Sequence, residues 1–239
     1  MSTNSLNNKS ALITGGSKGI GLGIAESMAR ENMRVAITSR NGAEAEKAAQ
    51  NLISKGATDA IGYEADVRDD QRMNEIAADI LKRWSALDVV IANAGVGHFD
   101  PVDTMSLETW KEVIDINLTG VFNTIKSTVD ALKASKGYFI TIASLAGTNF
   151  FANGAAYNAS KFGLVGFTQA VMLDLRKYDI KVSTIMPGSV ATYFNDHVPS
   201  EQDSWKIQPE DIGQMVIDLL KMNPRTLPSK IEVRPSKPL

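Results

Sequence analysis

Ser10-Ala11-Leu12-Ile13-Thr14-Gly15-Gly16-Ser17-Lys18-Gly19-Ile20-Gly21 is the stretch whose reading decides the fold. Its apolar start has strand length, its middle is a glycine-rich turn, and helical spacing of apolar residues follows from Ile20 to Glu31. A strand from Ser10 to Thr14 therefore feeds a helix through a tight turn. Glycines at 15, 19 and 21 let the backbone turn sharply and approach a bound group closely. The helix opening there offers free N–H groups and the positive end of its dipole to an anion. Gly15, Ser17, Lys18, Gly19, Ile20 and Gly21 are the expected cradle for the pyrophosphate of a dinucleotide. A plain strand-to-helix turn would use similar glycines, and the context on either side separates the two readings.

Outward from this stretch the alternation continues. A strand at Val35 to Ser39 closes a βαβ unit. Further strands are predicted near Ala60 to Glu64, Leu87 to Ala92, Tyr138 to Ile142, Val182 to Met186 and Ile231 to Val233. Helices are predicted near Ala43 to Ser54, Asp69 to Trp84, Leu107 to Lys133, Ala155 to Arg176 and Glu210 to Met222. Strands separated by helices cannot pair as hairpins. The expectation is a doubly wound, seven-stranded parallel α/β sheet of the Rossmann type, with helices on both faces and ligands held at the carboxyl ends of the strands.

The chain has 239 residues, 44% apolar and 22% charged, enough for one sizeable core and short for two ordinary domains, so a single domain over 1–239 is expected. The proline-rich tail (Pro224, Pro228, Pro235, Pro238) reads as loop around the last strand. A formal net charge of -2 with no dense basic block argues against a nucleic-acid partner. The absence of cysteine removes disulfides, thiolate metal sites and a cysteine nucleophile, and no metal is expected. The polar start MSTNSLNNKS and the lack of a long apolar run predict no membrane partner and a cytoplasmic location.

At the end of the second strand a carboxylate would accept from a free ribose 2′-OH and repel a 2′-phosphate. Ser39-Arg40 stands there instead. The guanidinium of Arg40, with Lys18 in the glycine loop, suits a phosphate and predicts NADP(H), unless both are ordinary solvated charges. At the other end of the cleft, Tyr157 and Lys161 lie four apart on one helical face, where an ammonium would favour the phenolate and tune a general acid/base. Ser144, just past a strand end, places a hydroxyl where it can hold a carbonyl oxygen, although a turn or cap would use the same residue.

With these residues in place, the sequence closely resembles the short-chain dehydrogenase/reductase family over nearly its whole length. Thr14 to Gly21 resembles the TGxxxGxG loop, Asp66-Val67 the adenine contact, Asn93-Ala94-Gly95 the NAG element, and Pro187-Gly188-Ser189-Val190-Ala191-Thr192 the PG segment. The resemblance implies a catalytic tetrad of Asn117, Ser144, Tyr157 and Lys161. In it Tyr157 donates the proton, and Lys161 tunes the phenol and holds the nicotinamide ribose. Ser144 orients the carbonyl, and Asn117 holds a water. It also implies that Pro187, Gly188, Val190 and Thr192 bind the cofactor, Val190 and Thr192 at the nicotinamide carboxamide, and that the chain forms a homodimer or homotetramer on its two long helices.

The expected activity is NADPH-dependent reduction of a small-molecule ketone or aldehyde to an alcohol, reversible in principle. The alternatives are a 3-oxoacyl thioester reductase of the fatty-acid type and a non-catalytic NADP(H)-binding regulator; a relative using the tyrosine for epimerisation or dehydration is a third. The ending KIEVRPSKPL lacks the glycine-rich tail typical of the 3-oxoacyl-[acyl-carrier-protein] reductases, and Tyr193 to Ile207 is short for a substrate lid. His98, Leu145, Phe150, Phe151, Asn153, Tyr193 and Phe194 are the residues expected to face the substrate. For His98 a solvated loop position, and for Phe150 and Phe151 a packing or subunit contact, stand beside that reading.

Overall fold

In a computed structural model, residues 5–237 are described; the first four residues of the polar start and Pro238 lie outside them. The hydrophobic runs become β1 (Ser10–Ile13), β2 (Arg34–Ser39), β3 (Asp59–Glu64), β4 (Val89–Ala92), β5 (Tyr138–Ile142), β6 (Lys181–Pro187) and β7 (Lys230–Val233). All pair in parallel in the order β3-β2-β1-β4-β5-β6-β7. Between them run α1 (Gly19–Arg30), α2 (Gly42–Ser54), α3 (Asp70–Trp84), α4 (Leu107–Ile114), α5 (Gly120–Ser135), α6 (Ala155–Leu175) and α7 (Pro209–Lys221). Strands β1, β4 and β5 are buried at every position, which is why their sequences read as continuous runs with no polar alternation. One core cluster joins the sheet to α1 and α7 through Ile24, Met28, Ile212 and Val216. The other joins its opposite face to α3, α5 and α6 through Met73, Ile80, Ile125 and Leu164. No described helix is long and apolar enough to cross a membrane.

The order of strands reverses between β1 and β4, and a crevice opens there at the carboxyl edge. Thr14 and Asn93 cross-link its floor. The backbone N–H groups of Asn93 and Ala94 donate to Thr14 Oγ1 at 3.0 and 3.1 Å, and Asn93 Nδ2 donates to the carbonyls of Thr14 and Gly15, each at 3.0 Å.

The expected single helix from Leu107 to Lys133 is interrupted. Between α4 and α5 lies a π-helical turn, Asp115–Thr119, and at its centre Asn117 is fully buried. The extra residue of such a turn rotates a side chain out of the α-helical register. The turn is held from both sides. Asn117 Oδ1 accepts from Val96 N–H at 2.8 Å, its Nδ2 donates to Val96 O at 2.9 Å, and Gly120 lies so close to Val67 that a Cβ would fall 2.4 Å from Cγ2. Apolar periodicity continues across the turn, so hydrophobic spacing carries no sign of it.

Helix α1, whose N-terminus points into the crevice, is fixed by a close crossing with α7. A Cβ on Gly23 would meet the Pro209 carbonyl group at 2.5 Å, and one on Gly213 would meet Ser27 Oγ at 2.3 Å. Gly23→Ala should therefore cost about 1 to 3 kcal/mol by overpacking, seen as a lower urea midpoint with an unchanged slope. A parental midpoint would show that the two helices can separate freely.

Candidate active site

A cleft of about 730 Å³ opens along the carboxyl edge of β1, β2, β4, β5 and β6. Its first wall is the glycine turn. Gly15 and Gly19 have φ of +64° and +57°, conformations open to glycine at little cost, and a Cβ on Gly15 would fall 3.0 Å from Ala94 Cα. Helix α1 has an extended N-cap at Lys18 with no side-chain cap and no acidic residue in its first turn, so its free N–H groups face the cleft unsatisfied by the protein. Gly15, Ser17, Lys18, Gly19 and Ile20 line the cleft. Gly21 lies behind it: a Cβ there would meet Gly15 O at 2.3 Å, so this glycine packs the helix against the turn.

Ser39, Arg40, Asp66 and Val67 line the far end. Arg40 is exposed, loosely paired to Glu112, Nη1 to Oε1 at 3.9 Å, and close enough to Asp66 to help hold its carboxylate ionised. Asp66 is gripped by Arg68, whose Nη2 lies 2.6 Å from Oδ2, and that pairing holds its carboxyl below the usual carboxylate range. Asn123 secures the turn by donating to Val67 O at 3.0 Å. Asn93, Ala94 and Gly95 line the middle, opposite Pro187, Gly188, Val190 and Thr192. That second segment is tied down by Gly188 N–H to Val233 O at 2.8 Å and by Ala191 N–H to Ile207 O at 2.9 Å.

At the near end, Ser144, Tyr157 and Lys161 converge on the cleft. Ser144 both caps a short turn, accepting from Ala146 N–H at 3.1 Å, and hydrogen-bonds the Tyr157 hydroxyl. The two sequence readings of Ser144 are thus compatible. Lys161 Nζ donates to Ile142 O at 3.2 Å and lies 5.7 Å from the centroid of the Tyr157 ring. Burial dominates both groups, disfavouring their charged forms. It pushes Tyr157 up to about 12, against the opposing hydrogen bond from Ser144, and Lys161 down to about 8. At the phenol, desolvation outweighs the hydrogen bond from Ser144. Asn117 reaches this group through Ser160, whose hydroxyl accepts from Asn117 Nδ2 at 3.0 Å and donates to Tyr157 O at 2.8 Å.

The residues expected to face substrate divide. His98, Tyr193 and Phe194 line the cleft, and His98 pairs with Glu112 at 3.1 Å. Leu145 packs against Gly188, Asn153 serves a turn at φ +64°, and Phe150 stands almost wholly in solvent. Phe151 contacts Phe99, a ring that sequence spacing did not single out. Also missed were Val96, Asn123 and Ser160, whose contacts are long-range and leave no local pattern.

Residues 9–203 match the model of the family described as short chain dehydrogenase. The chain belongs to that family. The alcohol dehydrogenase of the archaeon Thermococcus sibiricus, solved with 5-hydroxy-NADP, superposes on this short-chain dehydrogenase with a TM-score of 0.91 at 29% identity, covering 98% of this chain and 100% of that one. A 3-oxoacyl-[acyl-carrier-protein] reductase of Synechocystis sp. is 33% identical over 193 residues, 80% of this chain and 78% of that protein. The trans-4-hydroxycyclohexanecarboxylate dehydrogenase of Sinomonas cyclohexanicum is 34% identical over 189 residues, 77% of this chain and 73% of that protein. This short-chain dehydrogenase is an oxidoreductase that works with a nicotinamide dinucleotide, and its uncapped helix and glycine cradle fit such a group.

A buried lysine lowered from 10.5 to about 8 destabilises the fold by about 3 kcal/mol where it remains charged. The folded protein binds fewer protons than the unfolded chain between those values, so the penalty is full below pH 8 and fades as pH rises to 10.5. Lys161→Met should abolish activity yet raise unfolding stability by about 2 to 3 kcal/mol at pH 7, an advantage that vanishes near pH 10.5. Equal stability of the two proteins at pH 7 would mean that the ammonium is solvated.

Proposed function

We propose that this short-chain dehydrogenase reduces ketones or aldehydes to alcohols with NADPH, reversibly, through Tyr157. The observation that carries the reading is the convergence of Ser144 and Tyr157 hydroxyls with the Lys161 ammonium in one cleft, whose other end is an uncapped helix N-terminus. The bound dinucleotide supplies the hydride. Everything else falls to the chain. Ser144 donates a hydrogen bond to the carbonyl oxygen. Tyr157, still protonated at neutral pH because burial holds it near 12, gives its proton to that oxygen as the hydride reaches carbon. The phenolate left behind is favoured by the adjacent Lys161 ammonium, and Asn117 with Ser160 fixes the helix that carries both groups.

The preference for NADPH rests on Arg40, with Lys18 as a second charge at the glycine turn. Glu44 and Glu112 line the same region and oppose a 2′-phosphate, which limits the gain. A 3-oxoacyl thioester remains the second reading because of the Synechocystis relative. The protein is further proposed to act in the cytoplasm as a homodimer or homotetramer, since Leu107, Phe122, Phe162 and Leu173 leave α4, α5 and α6 with exposed apolar side chains. Light scattering at micromolar concentration should give a multiple of the chain mass, and a monomer mass would refute this.

Tyr157→Phe keeps the ring and removes its proton, so kcat for ketone reduction should fall by about 10²- to 10⁴-fold while NADPH still binds. Ser144→Ala should cost a comparable or slightly smaller factor. Loss of NADPH absorbance measures both, and a Tyr157→Phe rate within tenfold of the parent rules out the assignment. Because reduction needs the protonated phenol and oxidation the phenolate, reduction should fall and alcohol oxidation rise as the medium becomes alkaline.

Arg40→Ala should weaken NADPH by roughly tenfold or more in kcat/KM, at about 1.5 to 3 kcal/mol for a hydrogen bond to a charged group, and leave NADH nearly unchanged. Wild-type protein that uses both cofactors equally would show that Arg40 points into solvent.

A further inference from the structure

Around the proton donor stand rings that the transfer itself does not use. Phe99 meets Tyr157 edge-on with centroids 5.5 Å apart, Phe194 tilts over Tyr157 at 5.6 Å, and Phe151 meets Phe99 edge-on at 5.6 Å. Phe194 and Gly97 line the cleft beside Tyr157, and the absence of a side chain on Gly97 gives the Phe194 ring its seat. A Cβ there would fall 2.4 Å from Cζ.

The segment carrying Phe194 is fastened down by a buried carboxylate. Buried Asp203 accepts from Lys206 Nζ at 2.6 Å, His197 Nε2 at 2.7 Å and Ser200 N–H at 2.9 Å. Asp203 is held far below the ordinary carboxylate range by those contacts, so the staple persists throughout the neutral region. A wall fastened in this way imposes its shape on a ligand at little ordering cost.

We propose that Phe194, seated on Gly97 and held against Tyr157, makes this enzyme select carbonyl compounds whose carbonyl lies on or in a compact ring, aryl and alicyclic ketones, over straight-chain ones. The proposal rests on the reductase reading above. Ring faces and edges recognise a flat or compact ring by offset and edge-to-face contacts, each worth roughly two- to tenfold in binding. A flexible chain gains less from those contacts and loses rotamer freedom on entering.

The test uses the full chain with NADPH and a panel of acetophenone, cyclohexanone, 2-octanone and acetoacetyl-coenzyme A. Acetophenone should exceed 2-octanone, of equal carbon number, by about tenfold or more in kcat/KM. Phe194→Ala should shrink that ratio severalfold, chiefly through the KM of the ring ketone, and Phe194→Leu should fall between. Gly97→Ala, which pushes the ring off its seat, should move the ratio the same way. Thermal unfolding and NADPH fluorescence titration establish that each variant is folded and loaded. A preference for 2-octanone or the thioester, or a ratio unmoved by Phe194→Ala, overturns the proposal and leaves the reductase intact. Cofactor binding with no turnover of any carbonyl removes the reductase reading and this one with it.

Discussion

The clasp between Thr14 and Asn93 is the constraint on which the rest depends. It joins β1 to β4 at the place where the strand order reverses, the one place where the helices following neighbouring strands diverge to opposite faces and leave a crevice. Backbone groups just past a strand end have lost their ladder partners and, when buried, must be satisfied some other way. Here one hydroxyl accepts two N–H groups and one amide donates to two carbonyls. That closes the floor without filling the crevice. It also fixes Gly15 against Ala94 within 3.0 Å of where a Cβ would stand, so the glycine turn is positioned by the strand beside it as much as by its own sequence.

From that floor the two ends of the cleft are built on different physics. The end at the glycine turn is open and electrostatic, a helix terminus with no side-chain cap and no acidic residue in its first turn. At the other end burial dominates: the same desolvation favours the protonated form of Tyr157 and makes the charge on Lys161 costly. A charged lysine in such a place is tolerated because α6 is locked around it. Ser160 bonds back to Tyr157 and across to Asn117, and Asn117 is pinned in turn to both backbone groups of Val96. The π-turn belongs to this support, since Asn117 sits at its centre.

This division explains what could be read from sequence. Elements with a strong period or a continuous apolar run were legible, as were the glycine turn, the Tyr157–Lys161 pair and the lack of an acid after β2. These signals are local: spacing on one helix, or residue type at a strand end. Asn117 was legible only through the family resemblance, because its value lies in contacts with Val96 and Ser160, residues 21 and 43 positions away. Phe99 was missed for the same reason. Its ring matters only because three others converge on it, and nothing in its own neighbourhood announces that. Leu145 packs against Gly188 and Asn153 occupies a turn, and adjacency to a motif residue says nothing about which way such a side chain points.

The far end of the cleft, lined by Ser39, Arg40, Asp66 and Val67, shows how a residue-type argument changes once neighbours are visible. Arg40 alone predicts a strong claim on a 2′-phosphate. In place, it stands at 62% side-chain exposure with Glu112 3.9 Å away, and Glu112 is itself shared with His98. An exposed pair at that distance is worth little, so Arg40 loses almost nothing in leaving Glu112 for a phosphate. The cost falls instead on the carboxylate, which stays behind beside any anionic group that Arg40 meets. The charge environment of Arg40 is therefore shared with Glu112 and His98, and only Arg40 stands at the strand end where sequence rules look for it.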